Sequence, residues 1–202
     1  PREEVGWDVG SASPFPYFPD SQVPREMDRA AMDAVKTTFV AAAQRGERCG
    51  FDMLELHCAH GYLLASFSSP LTNHRIDAYG GPLENRARLM LEAADAAISV
   101  WGPGRVGVHL APRGDAHSMG DSDLPRTFEY VAQQLGQRKI AFLCAREYLG
   151  ADRLGPKLKA AFGGVYVANE KFTYESAGQA IATGEADAVA FGKLFIANPD
   201  LP

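Results

Sequence analysis

The stretch "LELHCAHGYLLASF", residues 54–67, sets His57 and His60 three apart, with Tyr62 just beyond. An imidazole can donate or accept a hydrogen bond, move a proton near neutral pH, or bind a metal. A phenol keeps its proton at neutral pH and can act as a general acid. Residues three apart on a strand point to opposite faces, so the two imidazoles converge only if the chain turns after His57. Gly61 favours such a turn. Three readings are open: a reactive mouth at a strand end, a pair of histidines hydrogen-bonded inside a loop, and a zinc site that borrows Cys58. No further His/Cys cluster completes a zinc set, so no metal is expected.

Other polar residues also stand at the ends of apolar runs. "RVGVHLAPRGD" places His109 and Arg113 after a second such run, and its "RGD" triplet reads as coincidence. "VANEKFT" and "VAFGKLFIANPD" carry Ala168, Asn169, Glu170, Gly192 and Lys193. Gly192 permits close backbone approach and Lys193 supplies a cation, which suits an anion such as phosphate.

These residues need a scaffold that puts strand ends together. Short apolar strands are predicted at "DMLELH", "RVGVHLAP", "KIAFLC", "GVYVA" and "DAVAFG". Helices are predicted between them. The first has Ala31, Val35, Phe39 and Ala42 on one stripe and Gly50 at its end. The clearest runs through "GGPLENRARLMLEAADAAISVWG", with Pro82 in its first turn and a stripe of Ala87, Met90, Leu91, Ala94, Ala97, Ile98 and Trp101. A third carries Phe128, Val131, Ala132 and Leu135. A short one covers residues 154–162, and Thr173 caps the last.

Strict alternation of apolar strands with helices implies a parallel sheet. A (β/α)8 barrel and an open doubly wound sheet both fit. No G-x-G-x-x-G follows a strand, which removes the main support for a dinucleotide-binding sheet. A barrel takes about 250 residues over eight units. The expectation is therefore an incomplete TIM barrel with about five parallel strands. It would lack its first strands and, since "NPDLP" follows the last strand directly, its last helix. Residues 1–202 read as a single domain, a proline-rich loop over 1–26 followed by five β/α units over 27–202.

A net charge of −5 argues against a nucleic-acid partner. No apolar run approaches the roughly 18 residues of a membrane span. Three widely spaced cysteines suit reduced thiols and a cytoplasmic location.

The segments "GFDMLELHCAHGYLLASFSSPLTNHRIDAYGGPLENRAR", "RVGVHLAPRGD" and "DAVAFGKLFIANPDLP" together resemble the Old Yellow Enzyme family of FMN-dependent NAD(P)H:flavin oxidoreductases and ene-reductases. The resemblance implies FMN as cofactor, NADPH or NADH as reductant, and a small activated alkene as substrate. It implies that His57 and His60 bind the substrate's carbonyl or nitro oxygen and that Tyr62 protonates the α-carbon. It also implies that His109, Ala168, Asn169, Gly192 and Lys193 contact the flavin. The sequence differs from the family at three places. His109 stands where arginine is usual, Glu170 where glycine is common beside the phosphate, and Lys193 where arginine is common. Two alternatives stay open: the reductase-like flavin domain of an aromatic CoA-thioester hydroxylase, and a non-catalytic barrel remnant without flavin.

Overall fold

The computed structural model describes residues 9–16, 18, 20–113, 123–198 and 200. The segment expected to be only a loop carries two short parallel strands, β1 (Gly10–Ser11) and β2 (Arg25–Glu26). Asp28 then accepts the Ala31 N–H at 2.8 Å and starts helix α1, Arg29–Arg48. Gly50, at φ +81°, follows the end of that helix, as its position predicts. The buried line of α1 is Met32 and Ala43; Ala31, Val35 and Phe39 are half-buried beside it and Ala42 is exposed. The predicted stripe is thus offset by a residue.

Five longer strands follow: β3 (Leu54–His57), β4 (Val106–Leu110), β5 (Phe142–Arg146), β6 (Val165–Asn169) and β7 (Ala188–Ala190). They lie parallel and adjacent in chain order. Between them run α2 (Leu63–Ser68), α3 (Leu83–Arg86), α4 (Arg88–Trp101), α5 (Leu124–Gln137), α6 (Gly155–Phe162) and α7 (Tyr174–Ala182). The predicted long helix is α3 plus α4, with Ala87 as the joint. Pro82 caps α3 from outside its first turn. The Leu91 N–H still bonds to the Ala87 carbonyl, so the stripe continues. Thr173 and Ser176 form a reciprocal capping box at α7.

A short helix, α8 (Lys193–Ala197), follows β7 directly, where the sequence led us to expect none. Among the described residues, no helix is long and apolar enough to cross a membrane.

The two faces of the sheet differ. Leu56, Val106, Val108, Leu110, Leu143, Ala145, Tyr166 and Ala168 point to one face and are buried. The alternate residues point the other way, and Glu55, His57 and Val165 among them are exposed. A doubly wound sheet has helices on both faces. Cover on one face alone is the arrangement of barrel strands, whose second face turns inward. Low on that inner face the Phe142 ring fills the space where a Cβ on Gly107 would sit, 2.1 Å away.

Candidate active site

The C-terminal ends of the strands carry the chemistry. His57 closes β3 and lies opposite His109 of β4, which lies opposite Cys144 of β5. After His57 the chain reverses. His60 takes φ +57° and Gly61 φ +73°, and the Tyr62 N–H bonds to the Ala59 carbonyl at 3.2 Å. That turn brings His60 back over His57. Their rings stack with centroids 5.1 Å apart, and His60 Nδ1 lies 3.2 Å from His57 Nε2. The Tyr62 ring is 5.3 Å from His57 and its side chain is exposed. His109 stands edge-on to both imidazoles, at 5.4 and 5.7 Å.

Cys58 does not join them. It points to the helix-covered face and is buried, and burial pushes its thiol pKa up. The zinc reading built on Cys58 therefore fails on strand alternation.

Burial first, then the positive charge of Arg146 and the two neighbouring imidazoles, pulls the His60 pKa down to about 4. Burial, with His109 second, also lowers that of His57. Both rings are neutral at pH 7. Each then has one N–H, and in this geometry one is spent between them.

The loop that carries Tyr62 is locked from below by the "TNHRIDAYGG" stretch. Asn73 donates to the Phe67 and Tyr79 carbonyls at 2.6 and 2.7 Å. Buried Arg75 donates to the Ala12 and Met27 carbonyls and pairs with Asp77 through both ends of its guanidinium. Tyr79 reaches Glu92 on α4 at 3.0 Å. The long sequence motif is thus mostly a positioning device for the turn above it.

At the far end of the sheet, Ala168 faces the helices, so only its backbone meets the inner side. Asn169 donates to the Ala190 carbonyl at 2.8 Å and ties β6 to β7. Glu170 takes φ +100°, a strained angle for a non-glycine residue, and forms an ion pair with Arg146. A Cβ placed on Gly192 would meet nothing within 4 Å, and Lys193 beside it is exposed.

Arg113 turns away from this cluster to Glu147 and Asp152. Glu147 is buried and accepts the Leu154 and Gly155 N–H groups at 2.6 and 2.8 Å, which fixes the start of α6. Gly114 and Asp115 of the "RGD" triplet lie outside the described residues.

The sequence reading missed Arg146 and Glu55. The predicted third strand stopped at Cys144, two residues before β5 ends, which left Arg146 in a loop. A charge directly after an apolar run was the available signal. Glu55 sits inside an apolar run, which hides it.

The residues present fit a flavin phosphate ester. The backbone at Gly192 is open to close approach, Lys193 supplies a cation, and Arg146 answers the Glu170 carboxylate, which would repel phosphate. His109 Nε2 is buried without a hydrogen-bond partner among the described residues.

A parallel sheet covered on one face, with polar groups gathered at its C-terminal end, defines a barrel segment with a candidate site at its mouth. Residues 9–202 match the NADH:flavin oxidoreductase / NADH oxidase family, and the chain belongs to that family. It is 34% identical over 187 residues to 12-oxophytodienoate reductase 2 of Arabidopsis thaliana, covering 89% of this chain and 50% of that protein. It is 35% identical to the "Probable flavin mononucleotide-dependent alkene reductase" of Leishmania infantum, covering 95% of this chain and 52% of the other. The structure of morphinone reductase in complex with tetrahydroNAD superposes with a TM-score of 0.92 at 33% identity, over 98% of this chain and 59% of that one. The chain thus spans about half to three-fifths of the length of these relatives, and its five strands are part of a (β/α)8 barrel.

Proposed function

We propose that the protein is an FMN-dependent NAD(P)H oxidoreductase that reduces activated C=C bonds, such as those of α,β-unsaturated carbonyl and nitro compounds. The observation that carries this reading is the 3.2 Å His57–His60 contact beside Tyr62 at the sheet's C-terminal end. FMN, reduced by NADPH or NADH, would supply the hydride. Asn169, Gly192, Lys193 and the backbone of Ala168 would hold its phosphate side, and His109 its ring.

His57 Nε2 and His60 Nδ1 face each other at hydrogen-bond distance. A substrate oxygen entering between them replaces that bond with two once the ring that accepted it moves its proton to the facing nitrogen, so that His57 carries its proton on Nε2 and His60 on Nδ1. Two neutral donors then meet the negative charge that grows on the oxygen as hydride adds to the β-carbon. Tyr62 gives its phenolic proton to the α-carbon and recovers one from solvent, to which it is exposed. Arg146 holds the Glu170 carboxylate and keeps it from opposing the phosphate. Three unpaired cysteines support a reducing, cytoplasmic location.

The test is anaerobic. The full-length purified protein is mixed with FMN and filtered, and its visible spectrum is recorded. NADPH or NADH is then added, followed by a cyclic enone. The reading requires stoichiometric flavin that is bleached by the nicotinamide and recovers its colour with enone. Protein that retains no flavin would point to a non-catalytic barrel segment. Flavin that is reduced but indifferent to enones would point to another acceptor.

A further inference from the structure

Glu55, His109 and Cys144 come from three adjacent strands and turn their ligand atoms toward one another, all within 4.8 Å. The ladder sets His109 opposite Cys144, and Glu55 opposite Gly107, two residues before His109. All three side chains stand on the inner face. Glu55 Oε1 is 3.5 Å from His109 Nδ1. His109 Nε2 is buried with no hydrogen-bond partner among the described residues, and Cys144 is a buried free thiol. An unpaired buried nitrogen is costly to keep.

We propose that Glu55, His109 and Cys144 form a three-ligand site for a borderline divalent cation of the zinc class, with its fourth position open to water. The donor set selects the ion. Thiolate with imidazole favours zinc over magnesium or calcium, and a carboxylate is an accepted third ligand. Bonds of about 2.0–2.3 Å in a tetrahedron space the ligand atoms about 3.3–3.8 Å apart. The site must therefore contract by roughly 1 Å on binding. The sheet holds the backbones of His109 and Cys144, whereas the Glu55 side chain is 38% exposed and has room to swing inward. His109 is also claimed by the flavin reading, but the cation site does not depend on it and is tested without flavin.

The full chain, stripped of metal and flavin and kept reduced, is titrated with cobalt(II) and then zinc(II). One equivalent of cobalt should give a thiolate-to-cobalt charge-transfer band and the intense d–d bands of a four-coordinate ion, and zinc should abolish both. Cys144→Ser should remove the charge-transfer band. Glu55→Gln should weaken zinc binding by at least the roughly 10-fold that even an outer-shell loss costs. Cys49→Ser, which removes the exposed thiol, should change nothing. Circular dichroism checks that each variant folds. If Cys144→Ser does not fold, Glu55→Gln decides. The site is overturned by the absence of a band at stoichiometric cobalt, by a band that survives Cys144→Ser or disappears with Cys49→Ser, or by unchanged zinc affinity in Glu55→Gln.

Discussion

Tyr62 and His60 sit two residues apart and answer different questions. In the proposed reaction Tyr62 delivers a proton and takes no part in loading the flavin. Tyr62→Phe should therefore leave flavin reduction by NADPH or NADH nearly unchanged. It should slow reoxidation by a cyclic enone, up to the roughly 10²–10⁴-fold of a positioned acid. Stopped-flow absorbance separates the two half-reactions, and the opposite pattern would make Tyr62 part of the nicotinamide site.

His60 has a folded pKa of about 4 against an ordinary 6.5. Between those values the unfolded chain binds a proton that the folded chain refuses. Stability should therefore fall as pH drops through that window and level off below it. His57 acts in the same direction. His60→Asn removes the titrating group, and asparagine tolerates the left-handed backbone at φ +57°. Its urea midpoint should shift less between pH 7 and pH 5 than that of the parent protein.

Helices α5 and α6 pack closely because Gly136 has no side chain. A Cβ there would lie 2.2 Å from the Phe162 carbonyl oxygen, a backbone atom that cannot step aside. Gly136→Ala should cost about 1–3 kcal/mol, read from urea denaturation. This glycine was invisible in the sequence, since a small residue inside a helical pattern says nothing of what lies opposite.

The strands and most helices were legible, because apolar runs of strand length alternate with 3.6-period stripes. The turn after His57 was legible as a condition: the two imidazoles could converge only if the chain reversed there, and Gly61 favoured it. What was hidden depends on the inner face. Whether Arg146 belongs to a strand or a loop turns on two residues of extent. That Glu55 and Cys144 share a side with His109 requires the register of three strands, which no single segment encodes. Helix α8 was missed because "KLFIA" is one turn long and carries no cap of its own.

At the scale of the molecule, Arg75 is the fastening. Its guanidinium reaches the backbone just past the end of β1 and of β2 as well as its own loop. Removing it strands the Ala12 and Met27 carbonyls at about 1–3 kcal/mol each. Arg75→Met should lower the melting temperature and, in limited proteolysis, open cleavage first within residues 10–28. If cleavage began in α6 or α7 instead, the fastening would lie elsewhere. Beside β3, the side chains of Phe39, Phe51, Met53 and Trp101 line an apolar cleft of about 330 Å³. In a closed barrel that edge is paired.

The order of the strands also sets a clock for amide hydrogens. Every strand of the large sheet bonds to its neighbour in sequence, so β5 is held on both sides while β3 and β7 are held on one. An edge can release its ladder without disturbing the middle; the reverse is impossible. Deuterium uptake should therefore be slowest at Leu143 and Ala145, slow in β4 and β6, and fastest at Leu56 and Val189. Measured by mass spectrometry on the free chain, that gradient would run outward from the centre strand. Uniform protection across all five strands would mean that β3 and β7 are paired to something in solution.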